Sequence, residues 1–329
     1  MLLNLEQMRA IVRGAVRIEK RDGVFFLNRF TEPQANAYLN AGEMDFYKKS
    51  FAASCIRLAF RTDSPYLSFA YHAYRGSSRG YAWFDLYVDG QMVKHFGTDG
   101  GVIDEGRVKL DLPVGIKDVE LYLPWSRRID LFDVELADGS QLEGLTRKYR
   151  MIAFGDSITQ GYDASYPSLS YVARLARLLD ADEVNKGIGG DVFCPYMIET
   201  PDDFTPDLIT VAYGTNNWAG RTYESTRENC VAFYTRLSEQ YPTAKIFAIT
   251  PICRLDTDKT TPYGDHVKAV DTLIREVCAD LSNVTVINGW SFVPALKEFF
   301  DDQRVHPNDL GFGLYAEGLY REIVKELYF

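Results

Sequence analysis

Cysteine is scarce and unpatterned in this chain of 329 residues: Cys55, Cys194, Cys230, Cys253 and Cys278 are odd in number, widely spaced, and include no C-x-x-C pair. A disulfide framework is not expected from such a set, and reduced thiols in the cytoplasm suit it better. Positive charge is also in short supply. The 36 Lys and Arg are outnumbered by 46 Asp and Glu, for a net charge of −10. That balance opposes the broad positive surface needed to hold a phosphate backbone or anionic lipid, so nucleic acid is not an expected partner. No apolar run approaches the ~18 residues of a membrane span. At the N-terminus, Glu6, Arg9 and Arg13 interrupt any stretch resembling a signal-peptide core. Neither low-complexity segments nor solenoid-like repeats are visible. The expectation is a cytoplasmic protein with no membrane partner, and the sequence leaves open whether it self-associates as a homo-oligomer.

What is present is the composition of an ordinary folded protein, 46% apolar and 25% charged, over a length that suggests two domains. From 16 to 145 the pattern is short and alternating. VRIEK, VFFLNRF, CIRLAF, YLSFAYHAY, WFDLYV, VKLDL, VELYLPW and IDLFDVEL have strand length. Asp-Gly pairs beginning at Asp22, Asp89, Asp99 and Asp138 supply the left-handed positions that hairpin turns favour. So many short strands without long helices point to an all-β sandwich or jelly-roll over residues 1–147.

Beyond a charged connector at 146–150 the period changes. RMIAF, a short segment near Val184, LITVAYG, KIFAIT and VTVIN are compact strand candidates separated by helical spacing. Tyr171, Leu175, Leu178 and Leu179 form one apolar stripe with Ser170 as a cap. Phe233, Tyr234 and Leu237 form a second, Val267, Val270, Ile274 and Val277 a third, and a final helix covers about 315–327. Alternating strands and helices predict an α/β domain at 148–329 with a doubly wound, mainly parallel sheet. In such sheets ligands bind at the carboxyl ends of the strands.

The loop after the first of these strands is GDSITQG at 155–161. A small residue there lets the chain turn sharply, so Ser157 either faces the crevice as a nucleophile or caps a helix by accepting a backbone N–H. Further along are NKGIGGD at 185–191, GTNN at 214–217 directly after LITVAY, and HPNDLGF at 306–312.

These four blocks, in this order, resemble the signature blocks of the SGNH/GDSL hydrolases. The resemblance implies that Ser157 is the nucleophile and His306 the base. It also implies an oxyanion hole built from the backbone N–H groups of Ser157 and Gly190 and the side-chain amide of Asn216. Such donors are useful because negative charge develops on the carbonyl oxygen under attack, and serine needs a base to take its proton. The family usually carries an aspartate three residues before the histidine, but Gln303 stands there. Asp302, one residue further back, becomes the orienting carboxylate if the loop bulges. Otherwise Gln303 or a backbone carbonyl orients His306 in a Ser–His dyad. Asp156 is expected to brace its loop, and Trp218 and Tyr162 flank the crevice as candidate substrate contacts or as packing. His72 and His95 fall in the β half and His266 at a helix start, outside any matching block. Asp256 and Asp258 in RLDTDK are expected to be a solvated loop. No metal or nucleotide motif occurs, so no cofactor is expected.

The first half is similar to the β-sandwich domains of some bacterial SGNH carbohydrate esterases. Its YAWFDLYVDG approximates a Gly-x-Asp-Leu-Tyr signature, with Trp83 in the glycine place. The implied function is hydrolysis of a short acyl ester, acetyl above all, of a carbohydrate or similar polar small molecule. Two other readings stay open at this point. One is acyl transfer to an alcohol or amine through the same acyl-enzyme, and the other is a glycan-binding protein that has lost catalysis.

Overall fold

The computed structural model describes residues 1–98 and 105–328, and the two periods of the sequence correspond to two architectures. The antiparallel part contains β1 (Val12–Arg13), β2 (Arg17–Arg21), β3 (Val24–Asn28), β4 (Arg57–Thr62), β5 (Tyr66–Arg75), β6 (Phe84–Val88), β7 (Gln91–Phe96), β8 (Glu105–Asp111), β9 (Lys117–Tyr122), β10 (Arg127–Leu136) and β11 (Glu143–Gly144). One sheet runs β1-β4-β9-β6-β7, with β11 also paired to β4, and the other runs β2-β3-β10-β5-β8. Leu58, Phe60, Leu86, Val119 and Leu121 from the first sheet meet Phe25, Leu67, Phe69, Ile129 and Leu131 from the second in one core. Each such side chain contributes about 1.5–3 kcal/mol when fully buried.

Two of the Asp-Gly pairs do what their chemistry suggests. Asp22 (φ 49°) and Gly23 (φ 84°), and likewise Asp89 (φ 49°) and Gly90 (φ 76°), are consecutive left-handed residues closing two-residue hairpins. Asp138–Gly139 instead turns the chain from β10 toward β11, which pairs in the other sheet. The pair at Asp99 lies outside the described residues.

Three short helices accompany the strands of this half: α1 (Leu5–Ile11), α2 (Glu32–Asn40) and α3 (Met44–Ser50). Start signals for α1 and α2 are in the sequence. Asn4 with Gln7, and Thr31 with Gln34, form reciprocal capping boxes. The helices are too short for an apolar stripe to stand out against the alternating strands around them.

The parallel sheet comprises β12 (Tyr149–Gly155), β13 (Ala181–Asn185), β14 (Leu208–Ala212), β15 (Lys245–Ile249) and β16 (Val284–Ile287), in the order β13-β12-β14-β15-β16. Around it lie α4 (Ser157–Gln160), α5 (Tyr171–Leu179), α6 (Thr215–Gly220), α7 (Tyr223–Gln240), α8 (Ala269–Cys278) and α9 (Asp309–Tyr328). Strand alternation splits the burial between two faces. Met151 and Ala153 pack with residues of α5 and α9, while Ile152 and Phe154 pack with α7 and α8. Ser170 caps α5 by accepting from Ala173 N–H. Leu178, expected in the apolar stripe, is instead exposed. The order reverses beside β12, so the loops after β12, β13 and β14 converge at the switch point, where ligands bind in open α/β sheets.

Candidate active site

Gly155 ends β12 where no side chain fits: a Cβ there would lie 2.0 Å from Thr159 Oγ1. The chain therefore turns directly into α4, with Asp156 as its N-cap accepting from Ile158 N–H at 2.9 Å. Burial pushes the Asp156 carboxyl up to about 6 against the opposing pull of that N–H and of His306. Ser157 is the first helical residue and retains 7% exposure.

His306 precedes α9, in a segment pinned by an isolated bridge between Phe300 and Pro307 and by Asn308, which accepts from Leu310 and Gly311 N–H. Its Nε2 stands 2.9 Å from Ser157 Oγ. Its Nδ1 stands 3.0 Å from Asp302 Oδ2. Gln303 adopts φ 54°, a left-handed conformation that absorbs the extra residue and returns the Asp302 carboxylate to the imidazole. Asp302 Oδ1 also accepts from the N–H groups of Arg304, Val305 and His306. Burial works against its charge, but the imidazole and these N–H groups hold it well below the usual carboxylate range.

A second carboxylate, which sequence reasoning missed, faces the same nitrogen. Asp163 Oδ2 lies 3.2 Å from His306 Nδ1. Asp163 is itself gripped by Arg79 of the antiparallel half, Nε to Oδ1 at 2.5 Å and Nη2 to Oδ2 at 2.8 Å. Burial alone would favour neutral imidazole, yet the hydrogen bonds to Asp163 and Asp302 outweigh it and push His306 up to about 9. The only signal for Asp163 was its place six residues after Ser157. Arg79, in a Ser- and Gly-rich loop, had none. Asp163, Asp302 and His306 bring their donor atoms within 4.8 Å of one another, as in some cation sites. Here the Arg79 guanidinium already supplies the cation to Asp163, so the three read as a hydrogen-bonded cluster.

The loop after β13 is held by its buried Asp191, pushed up to about 6 chiefly by burial. Asp191 accepts from Tyr38 Oη at 2.8 Å, Tyr213 Oη at 3.1 Å and Val192 N–H at 2.9 Å. Gly190 has φ 94°, and a Cβ on it would come 3.3 Å from the Phe46 ring. Among the described residues the Gly190 N–H has no hydrogen-bond acceptor. Asn216, second residue of α6, donates one amide hydrogen to Asp191 O at 3.0 Å, which ties the β14 loop to the β13 loop and leaves its second amide hydrogen. Arg29, fully buried, donates to the backbone carbonyls of Lys49, Ala52, Asn185 and Gly187, and Lys49 Nζ reaches Gly189 O at 2.8 Å. Residues of the first half thus brace the loop that carries Gly190.

Two candidate substrate contacts are corrected. Trp218 is completely buried, its Nε1–H donating to Asp265 O at 2.8 Å with Arg254 against its ring, so it is packing. Tyr162 is 3% exposed, with its ring 5.6 Å from the imidazole and its hydroxyl accepting from Ser78 N–H, so it supports His306 rather than facing solvent. His95 is paired with Asp85 at 2.6 Å, and His72 and His266 also lie outside the cluster. Asp256 is ion-paired with Arg254 and Lys259, which corrects the expectation of a merely solvated loop. A cleft of about 590 Å³, lined by Lys48, Lys49, Tyr74, Arg75, Ser78 and Arg128 among others but by none of the catalytic residues, meets the site through Ser78, which bonds Tyr162 Oη, and Lys49, which bonds Gly189 O.

No match is found among curated proteins. Among solved structures, the chain is similar to a salicylyl-acyltransferase from a tetracycline biosynthetic pathway, at 26% identity and a TM-score of 0.82, with 96% of this chain and 94% of that one covered. It shares its fold with a family two carbohydrate esterase from Clostridium thermocellum, at 17% identity and a TM-score of 0.66, with 84% and 93% covered. It also shares its fold with an acetyl xylan esterase from the rumen bacterium Butyrivibrio proteoclasticus, at 14% identity and a TM-score of 0.67, with 99% and 98% covered. Residues 153–314, which hold Ser157, Gly190, Asn216, Asp302 and His306, match the GDSL-like lipase/acylhydrolase family, and this part of the chain is a domain of the SGNH/GDSL hydrolase superfamily.

Proposed function

We propose that the protein is a serine esterase that removes a short acyl group, acetyl above all, from a carbohydrate or similar polar alcohol, with residues 1–147 as an accessory half. The observation that carries this reading is the continuous relay from Ser157 Oγ to His306 Nε2 at 2.9 Å and from His306 Nδ1 to Asp302 at 3.0 Å. In it Ser157 attacks the ester carbonyl as His306 takes its proton, and Asp302 keeps the imidazole in the productive tautomer. Gly190 N–H, Ser157 N–H and the second Asn216 amide hydrogen serve the oxyanion. Collapse expels the alcohol, protonated by His306, and water then attacks the acyl-serine with His306 again as base. The charged and aromatic cleft favours a polar leaving alcohol, and carbohydrate esterases share the fold. The reading of a catalytically lost glycan binder leaned on the absent aspartate at 303, and the 3.0 Å contact between Asp302 and His306 supports the catalytic reading instead.

A series of p-nitrophenyl esters tests the proposal. Turnover should fall as the acyl chain lengthens, and Ser157→Ala should abolish it together with labelling by a fluorophosphonate probe. Preference for long chains would defeat the short-acyl assignment, and activity retained in Ser157→Ala would defeat the nucleophile. Acyl transfer is a second reading, favoured by the salicylyl-acyltransferase likeness over 96% of the chain. Acylated product formed from an added alcohol or amine, in excess of free acid, would select it.

A further inference from the structure

We infer that Asp163 and Arg79 are positioning residues for the proposed reaction: Asp163 is a second acceptor for His306 Nδ1, and Arg79 delivers its counter-ion from the antiparallel half. The inference rests on the reading of His306 as the base.

The geometry is specific. Asp163 is 1% exposed on its side chain, so its charge is out of water, and both its oxygens are engaged by Arg79 in a planar fork. One of those oxygens also faces the imidazole at 3.2 Å, beside Asp302 at 3.0 Å. Asp163 is held at φ 69°, a left-handed conformation that only Gly, Asn and Asp adopt readily. Arg79 also lies over the Tyr162 ring, 5.2 Å from its centroid, and that ring flanks His306. The clamp therefore runs from the β5–β6 loop, through one aromatic side chain and one carboxylate, to the base.

Two acceptors on one N–H fix the ring plane better than one. They also create a difficulty, because two bare carboxylates would keep the imidazole protonated and unable to accept from Ser157. Arg79 limits this by pairing with the one carboxylate that is not already held by three backbone N–H groups, and His306 is still raised to about 9. The other groups acting on His306 are Asp156 from the end of β12, with Arg254 acting on it in turn, and Asp301, which acts on both flanking carboxylates. Tyr162 presents its ring, with its hydroxyl already bonded to Ser78. Of these groups, Arg79 is the one that the antiparallel half contributes.

Opposite charge changes should therefore move His306 in opposite directions. Its pKa can be read by NMR titration of the intact chain, the resonance being assigned by its loss in His306→Gln, and in parallel from the acid limb of kcat/KM on p-nitrophenyl acetate. Asp163→Asn, which tolerates the left-handed backbone, should shift both readouts down by about one pH unit. Arg79→Met should shift them up, and Arg79→Lys should restore most of the wild-type position. In an Asp163→Asn background, Arg79→Met should have no further effect. Shifts in the same direction for both single variants, no shift in either, or an undiminished Arg79 effect without Asp163 would overturn the inference. The NMR readout needs no turnover. Ser157→Ala with retained activity would instead remove the underlying esterase reading, so the two failures remain distinct.

Discussion

Asp302 binds four N–H groups, and the two oxygens have separable duties. Oδ1 holds the backbone at Arg304, Val305 and His306, while Oδ2 faces the imidazole. Asp302→Asn can preserve the first duty but presents an amide to Nδ1, favouring the wrong tautomer. The expected loss in kcat is smaller than the roughly 10⁴-fold seen when a triad has one carboxylate, because Asp163 remains as an acceptor. Asp302→Asn with Asp163→Asn should reach the full loss, measured with p-nitrophenyl acetate. The same cluster links pH to stability. His306 is raised from 6.5 to about 9, so its contribution is complete below 6.5 and is lost as pH rises through 9. Asp163 and Asp302 are depressed, so theirs is present above the ordinary Asp range and lost as pH falls through their lowered values. The Tm difference between wild type and His306→Gln should therefore shrink between pH 6.5 and 9 in thermal melts.

The helix pair α2–α3 acts on the site as an element. Tyr38 packs edge-on against Phe30, Phe46 and Tyr196, with ring centroids 5.7 to 6.1 Å away, and its hydroxyl reaches Asp191. Tyr38→Phe keeps the packing and removes one donor from a buried carboxylate. A loss of about 1–3 kcal/mol is expected in urea unfolding. The same variant should lower kcat on short esters, since Asp191 anchors the loop that presents Gly190. Unchanged stability would mean that water or another donor replaces the phenol.

At the scale of the whole molecule, the two architectures share buried charge. Arg57 of β4 is fully buried and binds Glu183 at 2.6 Å and Asp182 at 2.8 Å, both on β13, and Glu120 of β9 at 2.8 Å. Removing it strands Glu183, which is equally buried. Arg57→Met should cost about 3–5 kcal/mol. Calorimetry should show one cooperative transition for the wild type and a markedly lower midpoint for the variant. Two separate wild-type transitions would contradict the coupling.

How far each level could be read in the sequence follows from how local its cause is. Strand and helix periods, the turn at Gly155 and the left-handed hairpin pairs depend on neighbours within a few residues, so they were legible directly. Ser157, Gly190, Asn216 and His306 could be singled out because their blocks follow in order along the chain. The acceptor on His306 was legible only as a choice, since Gln303 holds the usual spacing and Asp302 lies one residue further back, and the left-handed backbone at Gln303 is what brings Asp302 round. The roles of Asp163 and Arg79 were invisible for a related reason, and of the bracing helices only α2 carries a capping box. Arg79 and Asp163 are 84 residues apart in the chain, and no local pattern encodes a contact made only when the two halves fold together. The sequence by itself determined the two periods and the order of the reactive blocks; tertiary structure alone decided which carboxylates face the imidazole, because burial and proximity are properties of the folded chain.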